Sequence, residues 1–355
     1  MMSSVAVAMS GGVDSSAAAA ILLEQGFDVV GVSLHLWQQG QGVAEKSESV
    51  EQARQVAEQL GIPFAVMDAR EYFHEHVVQS FVQSYLEGVT PSPCVGCNRA
   101  VKWESMLSYA ASQKIDYVAT GHYARLEQDD SGAVHLLRGH DEGKDQAYML
   151  AFLGQRELLR TLLPIGGYTK SEIRAIARRF GLEAAERSES QDLCFLPDGD
   201  YRQFIRENAA DKIRPGEIVS LSGDVLGEHQ GLPFYTIGQR KGLGISTVQP
   251  VYVVKKDIAA NQLVVAEKAA LGKTGFVAGR VNWIQGSPPR EVLRAQVKIR
   301  YRSPLVWGQL QVLESGQVHV RLEAAQADIT PGQVAVFYQD DEVLGGGIIQ
   351  LAGRN

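Results

Sequence analysis

The N-terminal segment constrains the fold of this chain more than any other feature. The apolar residues 5–9 are typical of a short buried strand, and residues 15–25 of a helix that stops at Gly26. Further strand-like and helical runs then alternate along the chain, with strands at 27–37 and 62–69 and helices at 49–60 and 71–86. This alternation predicts an α/β domain with a parallel sheet, whose ligands collect beyond the carboxyl ends of the strands.

The second half of the chain has a different residue pattern. Beyond residue 214, short alternating β-type runs are separated by glycine, proline and asparagine turns. A length of 355 residues is enough for two or three domains. We therefore expect a parallel-sheet domain over 1–205, a small β-rich central domain over 206–272 and a C-terminal β-barrel over 273–355.

Bulk composition narrows the class of protein. Hydrophobic residues make up 45% of the chain and charged residues 21%, the balance of a compact globular protein. No apolar run approaches the roughly 20 residues of a membrane span, and the N-terminus lacks the basic and apolar regions of an export signal. We expect a cytoplasmic protein that does not contact a membrane. The formal net charge of −7 means that any RNA contact must rest on local basic patches.

Residues 10–16 form the motif Ser-Gly-Gly-Val-Asp-Ser-Ser between the first strand and the first helix. Gly11 and Gly12 let the backbone approach a phosphate, while serine hydroxyls and free helix N-terminal amides donate hydrogen bonds to it. Asp14 is a candidate ligand for Mg²⁺. A plain Gly-Gly turn with an N-capping serine would explain the glycines alone. The strand–loop–helix setting favours a pyrophosphate-binding loop.

Three cysteines are present, two of them in the pair Cys94-Val95-Gly96-Cys97, with Cys194 far along the chain. Three is too few for the disulfide framework of a small secreted domain. Asn98 fits the N-cap of a following helix, which would place Cys97 just outside the helix N-terminus, where a thiolate is stabilised, with Lys102 adding positive charge. A zinc site would need a fourth ligand of suitable spacing. Zinc binding and inert burial remain alternatives, but we favour cysteine chemistry.

Short motifs, each weak alone, are spread over almost the whole chain. They lie at residues 9–16 (MSGGVDSS), 93–98 (PCVGCN), 119–125 (ATGHYAR), 144–146 (KDQ), 188–195 (SESQDLCF), 235–244 (YTIGQRKGLG) and 299–302 (IRYR). Jointly they resemble the tRNA-specific 2-thiouridylase family of the PP-loop ATP pyrophosphatase superfamily. That resemblance implies a PP-loop, adenine nucleotide alpha hydrolase-like N-terminal domain.

The resemblance also implies ATP and Mg²⁺ at the phosphate loop. The implied ATP-binding residues are Ala8, Met9, Ser10, Gly11, Gly12, Val13, Asp14, Ser15, Leu34 and Gly121. ATP would adenylate the 2-oxygen of the wobble uridine of a tRNA, releasing pyrophosphate and later AMP. Asp14 is the expected metal ligand.

The implied sulfur chemistry rests on two catalytic cysteines. By resemblance, Cys194 receives sulfur as a persulfide from a donor protein, and Cys97 releases that sulfur, leaving a Cys97–Cys194 disulfide. A persulfide suits this role because its outer sulfur is a good nucleophile at neutral pH. The expected product is 2-thiouridine.

One position departs from the best-known members of the family. They carry an aspartate three residues before the first catalytic cysteine, where this chain has Cys94. The proton transfers expected of that carboxylate are therefore unassigned. Cys94, Cys97 and Cys194 are also a possible ligand set for a [4Fe–4S] cluster, which would carry out the same reaction by another route.

The resemblance finally implies a tRNA surface. Its expected residues are Ser92, Pro93, Cys94, His122, Lys144, Asp145, Gln146, Arg300, Tyr301 and Gln339. Lys298, Arg300 and Arg302 alternate with apolar or aromatic residues, so on one strand they would share a face. A solvated β face would give the same pattern.

Two rivals share parts of this pattern. A PP-loop amide ligase would use the same phosphate loop to adenylate a carboxylate and would not need the cysteines. A non-catalytic RNA-binding or thiol-redox protein would need neither ATP nor Asp14.

Overall fold

The computed structural model describes residues 2–37, 48–187, 193–196 and 199–350. The α-helices in these ranges are α1 Val13–Glu24, α2 Glu48–Leu60, α3 Arg70–Phe73, α4 Ser80–Leu86, α5 Pro93–Cys97, α6 Glu104–Gln113, α7 Gln155–Leu158, α8 Lys170–Arg179 and α9 Tyr201–Ala209. Two π-helical turns, His74–Gln79 and Asn98–Trp103, join α3 to α4 and α5 to α6. Short 3₁₀ turns lie at Ala147–Leu150, Glu183–Glu186, Ala210–Lys212, Leu232–Phe234 and Lys268–Leu271.

The strands of the described residues form three sheets. They are β1 Ser4–Ala8, β2 Asp28–His35, β3 Phe64–Asp68, β4 Tyr117–Ala119, β5 Ala124–Gln128, β6 Val134–Arg138, β7 Thr161–Leu162, β8 Gly216–Val219, β9 Val225–His229, β10 Val251–Asp257, β11 Gln262–Glu267, β12 Lys273–Trp283, β13 Val292–Lys298, β14 Val306–Val312, β15 Val318–Gln326, β16 Val334–Gln339 and β17 Glu342–Ile349. The predicted alternation of strands and helices in the first half is confirmed.

The N-terminal sheet is parallel throughout, in the order β3-β2-β1-β4-β7. Val5 and Val7 of the central strand pack on one face and Ala6 on the other, and all three are fully buried. Burial on both faces explains why this strand is apolar throughout. The strand order reverses between β2 and β4, so a crevice opens beyond the carboxyl end of β1.

The helix predicted to start near residue 99 begins earlier, at Pro93. Proline suits the first helical position because its fixed φ is helical and its missing amide has no helical partner to lose. From Pro93 the backbone stays helical through α5, the π-helical turn and α6. The segment that carries the cysteine pair is therefore helix, not loop.

The central sheet has the order β10-β11-β8-β9. Its inward residues, among them Ile218, Val253 and Leu263, share one apolar cluster with Phe73 and Phe81 of the helical segment that follows β3. The central unit is thus packed against the helices of the first. We name this cluster, which also holds Cys97 and Phe195, the central apolar cluster.

The last sheet closes into a barrel. Its order is β12-β15-β14-β13-β16-β17, and β12 also pairs with β17. Closure removes the open edges that a flat sheet would expose. A parallel-sheet domain, a β-rich central unit and a C-terminal barrel are therefore all confirmed as the fold class. The predicted boundaries at 205 and 272 stay predictions.

A hairpin from the N-terminal domain extends the barrel sheet. Strands β5 and β6 pair with each other, and Leu137 of β6 pairs with Glu342 of β17. His135 on β6 reinforces the junction, because its Nδ1 lies 2.7 Å from Glu342 Oε1 and its Nε2 lies 3.1 Å from Asp129 Oδ2. No local pattern in residues 124–138 predicted that this hairpin joins the barrel. Among the described residues, no helix is both long and apolar enough to cross a membrane.

Candidate active site

The phosphate loop lies in the crevice beyond β1. Gly12 caps α1 in an extended conformation and Gly11 has a φ of 76°. The Ser15 hydroxyl donates to the Gly12 carbonyl at 3.1 Å and accepts from the Ser10 amide at 3.2 Å. Because these bonds hold the loop in shape, the first amides of α1 stay directed at a ligand.

Two glycines of the predicted ATP set are required by close packing. A Cβ on Gly11 would lie 2.6 Å from Gln52 Cβ, in addition to the strain of its positive φ. A Cβ on Gly121 would lie 2.6 Å from both Asp14 C and Ser15 N, which are backbone atoms of the phosphate loop. The structure therefore brings Gly121, just past β4, against the loop that begins after β1. Leu34 lies near the carboxyl end of β2, partly buried.

Asp14 has partners that the sequence analysis did not assign. Lys170 Nζ lies 2.7 Å from Asp14 Oδ1 and 2.9 Å from Oδ2, and the Tyr123 hydroxyl donates to Oδ1 at 2.8 Å. The Lys170 side chain is only 12% exposed, so this ion pair is shielded from solvent. Lys170 thus supplies a positive charge directly beside the phosphate loop.

Position in the helix offered a clue to Lys170. The residue opens α8, where Thr169 and Glu172 form a capping box. A cation in the first turn opposes the helix dipole, which favours acidic residues there. A basic residue at the first position of a helix was therefore an unusual feature of the sequence. Only the tertiary structure shows that Lys170 lies there to pair with Asp14. Arg187 was also missed, and its Nη1 donates to the Gly11 carbonyl at 2.8 Å.

The predicted setting of Cys97 is wrong. Cys97 ends α5 and Asn98 continues in helical conformation, so Asn98 is not an N-cap. The Asn98 side chain instead donates from Nδ2 to the Met149 carbonyl at 2.9 Å. Cys97 is 6% exposed, and its burial raises its pKa to about 12. At rest Cys97 is therefore a protonated thiol rather than a thiolate.

The three thiols share one electrostatic environment. Burial raises the pKa of Cys94, Cys97 and Cys194, and in each case the Lys102 ammonium acts in the opposite direction. The charges of Cys94 and Cys194 both act on Cys97. Cys194 nonetheless reaches solvent, Cys94 is half-buried and Cys97 is buried. The structure thus brings Cys194, near the end of the first domain, into the electrostatic environment of the pair Cys94 and Cys97.

The predicted metal ligands are Asp14 for Mg²⁺ and the three cysteines for an iron–sulfur cluster. Within the described ranges, no group of three or more histidine, cysteine, aspartate or glutamate side chains has an arrangement that would hold a metal ion. The [4Fe–4S] alternative therefore finds no support in these ranges. Asp14 offers a single carboxylate, already bonded to Lys170 and Tyr123. A Mg²⁺ ion would need phosphate oxygens to complete its coordination there.

His122 lies in the electrostatic field of Lys102, the cation that also acts on the three thiols. It follows Gly121, hydrogen-bonds Thr120 Oγ1 through Nδ1 at 2.7 Å and packs on the ring of Trp103 at 5.5 Å. Burial lowers the pKa of His122 to about 3, and the Lys102 charge lowers it further. His122 is therefore a neutral hydrogen-bonding group at neutral pH.

The predicted tRNA residues fall in two neighbouring places. Ser92 precedes α5 and lies close enough to Tyr148 to act on the pKa of its hydroxyl. The Tyr148 ring lies 5.8 Å from that of Tyr301 in the turn after β13. Pro93 and Cys94 begin α5 beside Ser92. Tyr148 thus lies between the turn after β13 and the start of α5.

The loop of residues 144–146 borders this group. Asp145 is 5% exposed, and its Oδ1 accepts from the Gly139 and Ala147 amides at 2.9 and 3.1 Å. Gln146 accepts from the Tyr123 amide at 3.0 Å. Asp145 and Gln146 therefore shape the loop that carries Lys144. Gln339 is exposed at the end of β16.

The prediction that Lys298, Arg300 and Arg302 share a strand face is wrong. Strand β13 ends at Lys298, and the next residues form a turn in which the Ser303 hydroxyl accepts from the Arg300 amide at 3.1 Å. Arg300 points inward, where its guanidinium hydrogen-bonds the Thr330 hydroxyl. Its buried Nε has no hydrogen-bond partner among the described residues. Residues 188–192 of the predicted motif lie outside those residues.

The fold and the site together define a nucleotide-binding α/β protein with two appended β units. Residues 3–198 match the family described as the tRNA methyl transferase HUP domain. Residues 202–267 match the tRNA methyl transferase PRC-barrel domain, and residues 273–349 match the aminomethyltransferase beta-barrel domain.

Full-length relatives narrow this class. A protein of Roseiflexus castenholzii named tRNA-specific 2-thiouridylase MnmA is 46% identical over 368 residues, which cover 98% of this chain and 99% of that protein. A relative of the same name from Carboxydothermus hydrogenoformans is 45% identical over 354 residues, covering 98% of this chain and 97% of that protein. The chain therefore belongs to the tRNA-specific 2-thiouridylase family, as the motifs predicted.

Solved structures are more distant. The U34-tRNA thiolase NcsA from Methanococcus maripaludis is 18% identical, with a TM-score of 0.36, over 59% of this chain and 65% of that one. A likeness of this size is too weak to carry an argument.

Proposed function

We propose that this protein is an ATP-dependent tRNA-uridine 2-sulfurtransferase, which replaces the 2-oxygen of the wobble uridine with sulfur. The proposal rests on the position of residues 120–123, which follow β4. This segment borders both the phosphate loop and the region of the thiols. Gly121 and Tyr123 contact Asp14 in the phosphate loop, whereas His122 lies in the field of Lys102, the cation shared by the thiols. One bound base could therefore meet both ATP and sulfur.

The first step is adenylation of the base. The uridine 2-oxygen attacks the α-phosphorus of ATP, pyrophosphate leaves and the carbon becomes electrophilic. In this chain the amides at the start of α1 would hold the phosphates, and Lys170 lies close enough to neutralise them. A Mg²⁺ ion arriving with ATP would bind Asp14 together with phosphate oxygens.

The second step is sulfur transfer. Cys194 is the exposed thiol, so it suits the acceptance of sulfur from a donor protein as a persulfide. The outer sulfur attacks the activated carbon and AMP leaves. The Cys97 thiol then attacks the inner sulfur of Cys194, which breaks the sulfur–sulfur bond and leaves 2-thiouridine with a Cys97–Cys194 disulfide.

The tRNA would reach the site along the junction of α5 and the barrel. Tyr148 lies beside Ser92 and Tyr301 there. The buried Nε of Arg300 has no hydrogen-bond partner in the part of the chain that the structure describes, so it is a donor that a bound RNA oxygen would satisfy. An unpaired buried donor is costly, so a ligand that accepts its hydrogen bond gains affinity. A flipped anticodon base would fit such a pocket because its 2-oxygen must reach both ATP and the thiols.

The thiols argue against methyl transfer, which the domain descriptions mention. Methyl transfer from a sulfonium donor needs neither a pyrophosphate loop nor an array of thiols. The site contains both, and the relatives that match over the full length carry the thiouridylase name. Sulfur transfer is therefore the function that we propose.

The test is mass spectrometry of nucleosides from unmodified tRNA incubated with the protein, Mg-ATP and a persulfide donor. We expect 2-thiouridine at the wobble position only when ATP is present, and none with Cys194→Ser. Pyrophosphate release without thiolated nucleoside, and unaffected by Cys194→Ser, would favour the amide ligase instead. Pyrophosphate release that depends on tRNA would exclude the non-catalytic rival.

A further inference from the structure

Cys94 lies in an unusual place for a residue without a catalytic role. It occupies the first turn of α5, three residues before Cys97, in a helix whose next turn carries Lys102. Cys94 and Cys194 both act electrostatically on Cys97. The site therefore holds one more thiol than sulfur transfer through Cys97 and Cys194 requires.

Packing anchors the segment around Cys194 beside Cys97. Cys97 and Phe195 belong to the central apolar cluster, and Leu193, on the other side of Cys194, packs against it. Phe195 lies edge-on to Phe73 and Phe81 at centroid distances of 5.8 and 5.1 Å. The short segment around Cys194 is thus anchored at the same cluster as Cys97.

We propose that Cys94 is a resolving thiol, which takes over the oxidised state from the Cys97–Cys194 disulfide and frees Cys194 for the next sulfur atom. This inference rests on the proposed function. The Cys94 thiolate attacks the sulfur of Cys97, a Cys94–Cys97 bond forms and the Cys97–Cys194 bond breaks. The electron pair leaves on Cys194, which takes up the proton that Cys94 has lost. A cellular dithiol then reduces the Cys94–Cys97 disulfide, and the dithiol itself becomes a disulfide.

Helix geometry suits this exchange. Side chains three residues apart on a helix have Cβ atoms about 5–6 Å apart, and a disulfide needs about 3.5–4.5 Å. A small adjustment of the first turn would close the gap. Gly96, between the two thiols, has no neighbour within 4 Å of an added Cβ, so nothing crowds the turn.

Burial also favours a disulfide between these two residues. A thiolate at Cys97 is costly because the site is desolvated, whereas a disulfide carries no charge. Lys102 favours the thiolate of each cysteine as it forms or leaves. The half-buried Cys94 then gives an external dithiol access to a bond that buried Cys97 alone would hide.

Disulfide mapping tests the inference. The protein completes one turnover with tRNA, ATP and a persulfide donor but no reductant, is alkylated with a maleimide at low pH and is digested for mass spectrometry. We expect a Cys94–Cys97 disulfide and alkylated Cys194. A Cys97–Cys194 disulfide as the dominant end state, with thiolated tRNA present, would overturn the inference alone. Absence of thiolated tRNA would overturn the proposed function.

Variants at Cys94 supply a second readout that does not depend on mapping. Cys94→Ser removes the thiol, and Cys94→Asp restores the carboxylate of the best-known family members. In both, we expect the ratio of the steady-state rate to the first-turnover rate to fall at least about tenfold, since an intramolecular thiol acts at millimolar or higher effective concentration.

Excess dithiothreitol should restore that ratio in both variants, which a merely structural defect would not allow. An unchanged ratio in Cys94→Ser without added dithiothreitol would refute a resolving role. A second pair of findings would also refute a resolving role: iron and sulfide bound to the wild-type protein purified without oxygen, and loss of the first turnover in Cys94→Ser.

Discussion

The substitution Gly121→Ala tests whether the end of β4 supports the phosphate loop. The added Cβ would lie 2.6 Å from Asp14 C and Ser15 N and 2.9 Å from Asp14 O. All three are backbone atoms, which cannot rotate away as a flexible side chain can. The loop and the strand end must therefore separate, or the loop must change shape.

The size of the effect follows from the cost of overpacking. An added methyl group in a well-packed site costs typically about 1–3 kcal/mol. If the loop relaxes only at the expense of nucleotide binding, that cost appears in the ATP affinity. Since about 1.4 kcal/mol corresponds to a factor of ten, we expect the Kd for ATP to rise roughly 5- to 140-fold. Any part of the strain that remains in the free protein lowers its Tm instead.

Gly167→Ala is the matched control. Gly167 is exposed, lies two residues before the cap of α8 and has nothing within 4 Å of an added Cβ. Equilibrium binding of ATP and thermal unfolding of both variants would separate the two effects. We expect Gly167→Ala to match the wild type in both. If Gly121→Ala also bound ATP with wild-type affinity and unfolded at the wild-type Tm, the argument from close packing would be refuted.

Three further predictions concern charged groups. Lys170→Met removes the ammonium that bonds both oxygens of Asp14, and hydrogen bonds to charged groups contribute about 1.5–3 kcal/mol, so the KM for ATP should rise by about tenfold or more. His135 has a pKa raised by hydrogen bonds to its two carboxylate partners, so its contribution to stability is full below its unfolded pKa and is lost as pH rises through the folded pKa. The excess unfolding free energy of wild type over His135→Gln should therefore be larger at pH 6 than at pH 9. Lys102→Met should move the pH profile of Cys194 alkylation to higher pH, because this ammonium lowers the pKa of that thiol.

Each of these three predictions has an outcome that would contradict it, and two of them have a control variant. Lys170→Arg keeps the charge and should raise the KM less than Lys170→Met, and equal effects would mean that charge is not what matters. A pH-independent difference between wild type and His135→Gln would show that the imidazole does not gain its proton on folding. An unshifted alkylation profile in Lys102→Met would remove this lysine from the thiol environment, with Lys102→Arg as the variant that should keep the wild-type profile.

Local patterns predicted the local parts of the site. Ser10, Gly11 and Gly12 are adjacent in sequence, so their preferences for a turn and a helix start act before any tertiary contact forms. The capping box of Thr169 and Glu172 at the start of α8 is likewise local. The wrong prediction of a helix start at Asn98 has a local cause. Proline and asparagine are both common at helix starts, so the local pattern fits a start at either Pro93 or Asn98. Val95 and Trp103 pack in the cluster on one face of the parallel sheet and Val101 packs in the central apolar cluster, which favours the longer helix.

The amino-acid sequence by itself determined the class of fold, the phosphate loop and the membership of a family, because each depends on patterns that neighbouring residues carry. Tertiary structure alone decided that Lys170 meets Asp14, 156 residues away, and that Cys194 joins the pair near residue 97. It also decided that burial, rather than a helix N-terminus, controls the Cys97 thiol. Contacts between distant residues depend on strand order and helix packing, and the charge state of a buried group depends on everything that surrounds it.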